Sequence, residues 1–236
     1  MRDPYLFDDV NVLKNLANIK DANMLQKAET DITNITMSCV YNFQYTKFNI
    51  DTLCNIHKTI FGLIYEWAGQ FRTIQMVKYE TLLGGHSVLY SHPKDIKKEL
   101  DTTMKEINKL KVTASNKHDI VFILTRIVAA IWKIHPFREG NTRTVIAFTV
   151  LLAKHLGFEV DYSILKDNAS YVRNSLVMAS NGIYSKFEYL ERIFYDAILH
   201  ENIDDLDIEK NKISKYETIG NYNIIDYKEQ PHEYKK

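Results

Sequence analysis

Proline and glycine are scarce in this chain, four and eight among 236 residues, which leaves little material for tight turns and argues for long helices. Cysteine is scarcer still. Its two copies, Cys39 and Cys54, fall inside expected helices and do not make the disulfide framework of a small secreted domain; they read as small core residues in a reducing cytoplasm. Neither sign of charge is in excess. Thirty basic side chains balance thirty acidic ones, no basic cluster marks a nucleic-acid footprint, and a polyanionic partner is not expected. No apolar signal core follows Met1-Arg2-Asp3-Pro4, and the apolar helix ending at Ile134 carries Arg126 and Lys133, too short and too charged for a membrane span. A Walker A sequence and a G-x-G-x-x-G loop are absent, so neither the P-loop nor a Rossmann site explains nucleotide use.

What the chain does have is apolar periodicity. With 45% hydrophobic residues it can bury a full core, and its length fits one domain. Helices are expected over 22–42, 51–67, 93–110, 118–134, 141–156, 169–179 and 185–201, which predicts an all-α bundle. In the third, Ile96, Leu100, Met104 and Ile107 step by three or four and leave Lys and Glu outside. Asp21 and Asp51 are expected caps for the first two. Beyond about residue 202 the apolar period is lost in a Lys-, Asn- and Tyr-rich stretch. The domain is therefore expected over 1–201, with 202–236 as an extension that is partly disordered or packed along the surface. Tyr216, Tyr222, Tyr227 and Tyr234 lie in it, as self-modification acceptors or as ordinary tail tyrosines.

The most informative run is His135-Pro136-Phe137-Arg138-Glu139-Gly140-Asn141-Thr142-Arg143, set between two apolar helices. Pro136 stops the first helix, and Asn141 or Thr142 is a natural cap for the second. The loop therefore ends at a helix N-terminus, where unpaired amides and the helix dipole favour an anion such as phosphate. Arg143 in the first turn opposes the dipole unless an anion lies nearby. Glu139 suits a hard cation such as Mg²⁺, which completes its shell with phosphate oxygens and water. His135 can exchange protons near neutral pH. Singly, each has a bland reading: a helix-end histidine that packs, a surface carboxylate, a turn glycine. Together they describe a site that holds a metal-bound polyphosphate beside a base. A zinc site is disfavoured, because the spacing is not H-E-x-x-H and no second histidine or cysteine pair is close.

These residues resemble the motif of the Fic family, H-x-F-x-[DE]-G-N-x-R-x-x-R, at His135, Phe137, Glu139, Gly140, Asn141 and Arg143. Asp3-Pro4-Tyr5, Val12-Leu13-Lys14-Asn15 and the run from Ile64 to Arg72 are similar to flanking sequences of bacterial members. The resemblance implies a Fic-type helical bundle and transfer of AMP from Mg-ATP to a Ser, Thr or Tyr hydroxyl of a target protein, or of the chain itself. It implies His135 as base, Glu139 as Mg²⁺ ligand, and Gly140, Asn141, Thr142 and Arg143 as ATP phosphate contacts. A homodimer fits the family. Relatives with varied motifs move phosphate, UMP or phosphocholine instead, and from another class a catalytically weak regulatory module would keep the loop without turnover. The base pocket would come from scattered residues, near Tyr171 and Ser175, that no local pattern fixes.

Two departures from the family pattern follow. The second arginine is replaced by Ile146, which removes one γ-phosphate contact. The nearest match to the family's inhibitory pattern [ST]-x-x-x-E-[GN] is 197–202, with Ala197 in the first place and Glu201 as the inhibitory residue; without the second arginine its hold is expected to be weak. The alternative is a glutamate that ends a helix in solvent. Finally, 71–77 and 87–90 around Gly84-Gly85 read as a β-hairpin. On sequence alone a small surface hairpin without a ligand fits equally; the family resemblance tips it toward a flap over the site, with Ile74, Met76, Val77 and Lys78 as target contacts by strand addition.

Overall fold

In the computed structural model residues 3–113 and 116–199 are described, and among them the ordered elements are helices: α1 (Ala22–Tyr41), α2 (Ile50–Phe61), α3 (Ile96–Ile107), α4 (Lys117–Ile134), α5 (Asn141–His155), α6 (Tyr162–Asp167), α7 (Ala169–Ala179) and α8 (Glu188–Leu199). The helix reading of the sequence holds at the level of elements. The side chain of Asp21 accepts from the Met24 amide and caps α1, as its position suggested. At α2 the cap is Asn49, which accepts from the Thr52 amide, and Asp51 sits inside the first turn. The helix expected over 51–67 ends at Phe61, because the chain turns back at Gly62. The imidazole of His57 then accepts the Gly69 amide at 2.8 Å and pins that return. α6 was not expected. It is a single short helix, too brief for a period to show, started by Asp161 bonding to the Ser163 amide.

α4 and α5 form the centre. Ile120, Val121, Leu124, Val128, Ile131 and Trp132 of α4 are buried on several sides by α3, α5 and α8, which explains why this segment is apolar nearly all round. α5 is enclosed by α1, α2 and α4. Its residues from Thr144 to Ala153 are all buried. The loop 135–140 joins these two inner helices, so its backbone starts and ends in the core. Cys39 is exposed and Cys54 half-buried, so Cys39 is not the core residue its place in a helix suggested; it lies on the outer side of α1.

The expected hairpin is replaced by a different device. The described residues contain no strand in this region, only one antiparallel bridge between Tyr79 and Ser87 and a 3-10 turn at Thr81–Leu83 that ends on left-handed Gly84. Side chains make the cross-links that a ladder would make through the backbone. Gln75 Nε2 donates to the Tyr90 carbonyl (3.1 Å) and the Lys78 amide donates to Ser87 Oγ (3.1 Å). Met76, Leu82, Leu83, Val88 and Tyr90 face the core, which ties both arms down. No described helix is long and apolar enough to cross a membrane.

Candidate active site

The loop owes its shape to how α4 stops. A residue before proline is kept out of the right-handed helical region, and His135 takes a left-handed conformation (φ 53°, ψ 58°) that non-glycine residues adopt at a cost. That turn carries its imidazole inward, to 2% exposure. The ring stacks on Tyr90 with centroids 4.0 Å apart and meets Trp132 edge-on at 5.4 Å. Nδ1 lies 3.1 Å from the Trp132 carbonyl, an acceptor only, so Nδ1 carries the proton. Nε2 is then a bare lone pair, and it has no hydrogen-bond partner among the described residues. Burial, with Lys78 next in effect and Arg72 and Arg173 adding to it, pushes the imidazolium form well below the ordinary histidine range despite the Trp132 carbonyl. A buried, neutral imidazole with a free lone pair at Nε2 is the result.

Three buried groups hold the loop. Arg72 donates from Nε to the His135 carbonyl (2.7 Å), from one terminal nitrogen to Ile74 (2.6 Å) and from the other to Ile134 (3.3 Å) and Ser91, while its amide bonds the Pro136 carbonyl (2.8 Å). His57, accepting at Nδ1 from Gly69, must donate from Nε2 to the Glu139 carbonyl at 3.0 Å. It also stacks on Phe137 at 3.8 Å, and burial pulls its pKa down to about 4. Asn141 accepts from the Phe137 amide (3.0 Å) and donates to the Phe137 carbonyl (2.8 Å). Arg138 reaches back to Asp3 with two bonds of 2.9 and 2.7 Å, which gives the N-terminal Asp3 a place beside the loop.

The start of α5 is an uncapped helix N-terminus. Its N-cap is Gly140 (φ 79°) and not Asn141 or Thr142, and no side chain caps it. The Asn141, Thr142 and Arg143 amides are the first of the helix and lack intrahelical acceptors. A side chain at residue 140 is doubly excluded, by the positive φ and because a Cβ there would overlap the Phe61 ring. Glu139 Oε1 accepts the Gly140 amide (2.9 Å), which leaves Oε2 facing Lys78 Nζ at 3.7 Å. Burial raises this carboxyl's pKa, but Lys78, the Gly140 amide, Arg143 and Arg138 outweigh it and hold the group below its ordinary value, ionised at neutral pH. Among the described residues no cluster of three His, Cys, Asp or Glu exists. One carboxylate with an oxygen to spare fits a hard cation that draws its other ligands from phosphate and water, and does not fit a protein-caged metal.

His135, Glu139, the α5 amides, Lys78, Trp132 and Arg173 line one polar pocket of about 100 Å³. Every cation on its wall is already paired with a carboxylate: Lys78 with Glu139, Arg173 with Glu80 (2.6 Å), and Arg143 with Glu29 of α1. Glu29 is itself bonded by the Tyr65 hydroxyl at 2.5 Å, and Arg143 also donates to Thr33 (3.0 Å) and lies 4.7 Å over the Phe61 ring. Arg143 is thus turned toward α1. It separates the polar pocket from a larger cleft of about 590 Å³, where Ile146 is one wall.

Of the residues expected from sequence, His135, Glu139, Gly140, Asn141, Thr142, Arg143 and Lys78 converge here. Two of them have side chains committed elsewhere: the Asn141 amide clasps Phe137, and Thr142 Oγ1 accepts from Trp132 Nε1 (2.9 Å), so both can meet an anion through backbone N–H groups. Met76 is a core residue at 7% exposure, Ile74 is half-buried, and of the expected target contacts Val77 alone is exposed. Tyr171 and Ser175 are buried within α7 at 4% and 0%, and Arg173 on the same helix is the residue that reaches the pocket. Glu201 and the segment 202–236 lie outside the described residues. His57, Glu29, Glu80 and Arg173 carried no local sequence signal, and Arg72 entered only as the end of the run from Ile64, because each acts through a partner distant in the chain.

Residues 47–153, spanning α2 to α5 and the loop, match the Fic/DOC family. A Fic domain is what these residues match. The chain is 29% identical over 161 residues to the protein adenylyltransferase VbhT of Bartonella schoenbuchensis, covering 68% of this chain and 32% of that protein. It is also 29% identical over 171 residues to the probable protein adenylyltransferase y4lH of Sinorhizobium fredii, covering 70% of this chain and 83% of that one. It therefore spans about a third of the first relative and most of the second. The fold is shared with the N-terminal Fic domain of a cell filamentation protein from Bartonella quintana with bound ADP (TM-score 0.68, 21% identity, 82% of this chain and 94% of that one). BepC of Bartonella tribocorum with bound AMPPNP is similar to the same degree (TM-score 0.67, 24% identity, 82% and 95%).

Proposed function

We propose that this Fic domain is a protein adenylyltransferase that moves AMP from Mg-ATP to a Ser, Thr or Tyr hydroxyl of a target protein and releases pyrophosphate. One observation carries the reading: a buried neutral imidazole, with Nε2 unpartnered, faces a pocket whose other wall is an uncapped helix start. The base and the anion site are adjacent, as attack on phosphorus requires. The names of the relatives support the same class of chemistry.

The geometry supports these steps. The target hydroxyl oxygen bonds to the α-phosphorus while His135 Nε2 accepts its proton. The bond from that phosphorus to the bridging oxygen breaks, and the electron pair leaves with pyrophosphate. The α5 amides and their dipole receive the phosphate oxygens where negative charge grows. Glu139 Oε2 would hold Mg²⁺, which supplies charge neutralisation of the leaving group when bound. Intact mass spectrometry after incubation with Mg-ATP and a cell lysate tests the reading. An AMP-sized adduct on a lysate protein or on the chain itself, absent in His135→Ala, is the expected result. A phosphate-sized or UMP-sized adduct would replace it with another transfer by the same loop, a reading that the loss of the second arginine at Ile146 keeps open. Nucleotide affinity without any adduct would mark a binding module.

A further inference from the structure

Lys78 sits in an extended run, where successive side chains take opposite sides. Val77 and Tyr79 are 62% and 81% exposed, while Lys78 between them turns inward to Glu139. Its backbone is not loose: the Lys78 amide bonds Ser87 Oγ, and nearby Glu80, 2% exposed, is anchored by Arg173. An ordered segment therefore delivers this ammonium to the pocket that holds His135 and Glu139.

The three cations of the pocket differ in what leaving their partners would cost. Taking Arg173 would strand Glu80 in the interior, and taking Arg143 would strand Glu29, a carboxylate with 15% of its side chain exposed. Only the partner of Lys78 has a replacement, because a divalent cation can take Glu139 Oε2 in its place. We propose that Lys78 is a catalytic residue that changes partner, from Glu139 in the resting site to the phosphate oxygens of the substrate once Glu139 holds a divalent cation. This rests on the transferase reading above. Its flexible stem and compact charge suit such a swing, and the cation at Glu139 would repel it toward the incoming phosphates. The Lys78 ammonium offsets charge on the non-bridging oxygens as the target oxygen bonds to phosphorus and pyrophosphate departs.

The test uses two probes on the full chain, Mn²⁺ alone and ATP with Mn²⁺, each titrated calorimetrically into wild type, Lys78→Gln and Lys78→Arg. Lys78→Gln is expected to bind Mn²⁺ several-fold more tightly, since the competing ammonium is gone, and ATP about ten-fold more weakly, with kcat reduced more than the KM for the target. Lys78→Arg should restore most of the ATP affinity. Unchanged affinity for both probes with a raised target KM would overturn the proposal and return Lys78 to a target contact. A change for Mn²⁺ alone would overturn it as well. Opposite shifts in the two affinities without any adenylylated product would retain Lys78 as a phosphate ligand and remove the adenylyltransfer reading.

Discussion

His135 combines three constraints that seldom coincide: a left-handed backbone, full burial and an unpaired ring nitrogen. Each costs stability, and their coincidence at one residue marks where function has been favoured over folding. His135→Ala should lower transfer by about 10²–10⁴-fold, the usual worth of a general base, while nucleotide affinity measured by calorimetry stays within a few-fold. The pH profile of kcat/KM carries a sign. Because burial and Lys78 hold the imidazolium form far below the ordinary histidine pKa, the base is already neutral at pH 6.5, and its limb of activity should fall only at a more acidic pH. An acid limb centred at or above pH 6.5 would show that His135 is not so enclosed. Gly140 is the other residue whose identity is fixed physically. Gly140→Ala must strain a positive φ and push against Phe61, and we expect a loss of about 3 kcal/mol or more in urea unfolding together with lost phosphate binding.

At the scale of elements, the loop 135–140 is held by side chains that lie beyond it in the chain. Arg72 satisfies carbonyls of His135 and Ile134 at the end of α4, His57 of α2 holds the Glu139 carbonyl, and Asn141 closes the loop on itself. Arg72→Met should leave those carbonyls buried without donors and cost about 2–4 kcal/mol. Its kcat should fall even where the protein remains folded, as checked by circular dichroism before the assay. The segment 71–90 shows why periodicity misled: alternating apolar residues do point to one side, but side-chain bonds to Tyr90 and Ser87 and the buried Glu80–Arg173 pair take the place of ladder bonds. A strand pattern predicts which side chains face inward. It does not guarantee a strand.

For the molecule as a whole, α1 is joined to α5 by Arg143 and Glu29, steadied by Tyr65 and Thr33. Arg143→Ala would leave Glu29 charged and largely buried, so stability should drop by about 1–3 kcal/mol even without substrate. The fold is also expected to weaken in acid. His57 is held near pKa 4 in the folded state against about 6.5 when unfolded, so above pH 6.5 both states are neutral there and stability is flat. Below it the unfolded chain gains the proton first, and stability should decline from pH 6.5 to about 4 by on the order of 3 kcal/mol from this residue. Urea midpoints across that window, with His57→Gln as a control showing a shallower slope, check it. The sequence by itself determined the helices whose apolar residues repeat over several turns, the loop between two buried helices, and the co-location of His135, Glu139 and Gly140, since those features depend on neighbours along the chain. The tertiary structure alone decided which ring nitrogen of His135 is bare, that Arg143 faces Glu29, that Lys78 faces Glu139, and that Met76 is core. The pairings of Arg143 with Glu29 (114 apart) and of Lys78 with Glu139 (61 apart) bring together groups distant in the chain, and the bare nitrogen of His135 depends on the left-handed turn that sets its ring against the Trp132 carbonyl; no local pattern encodes either.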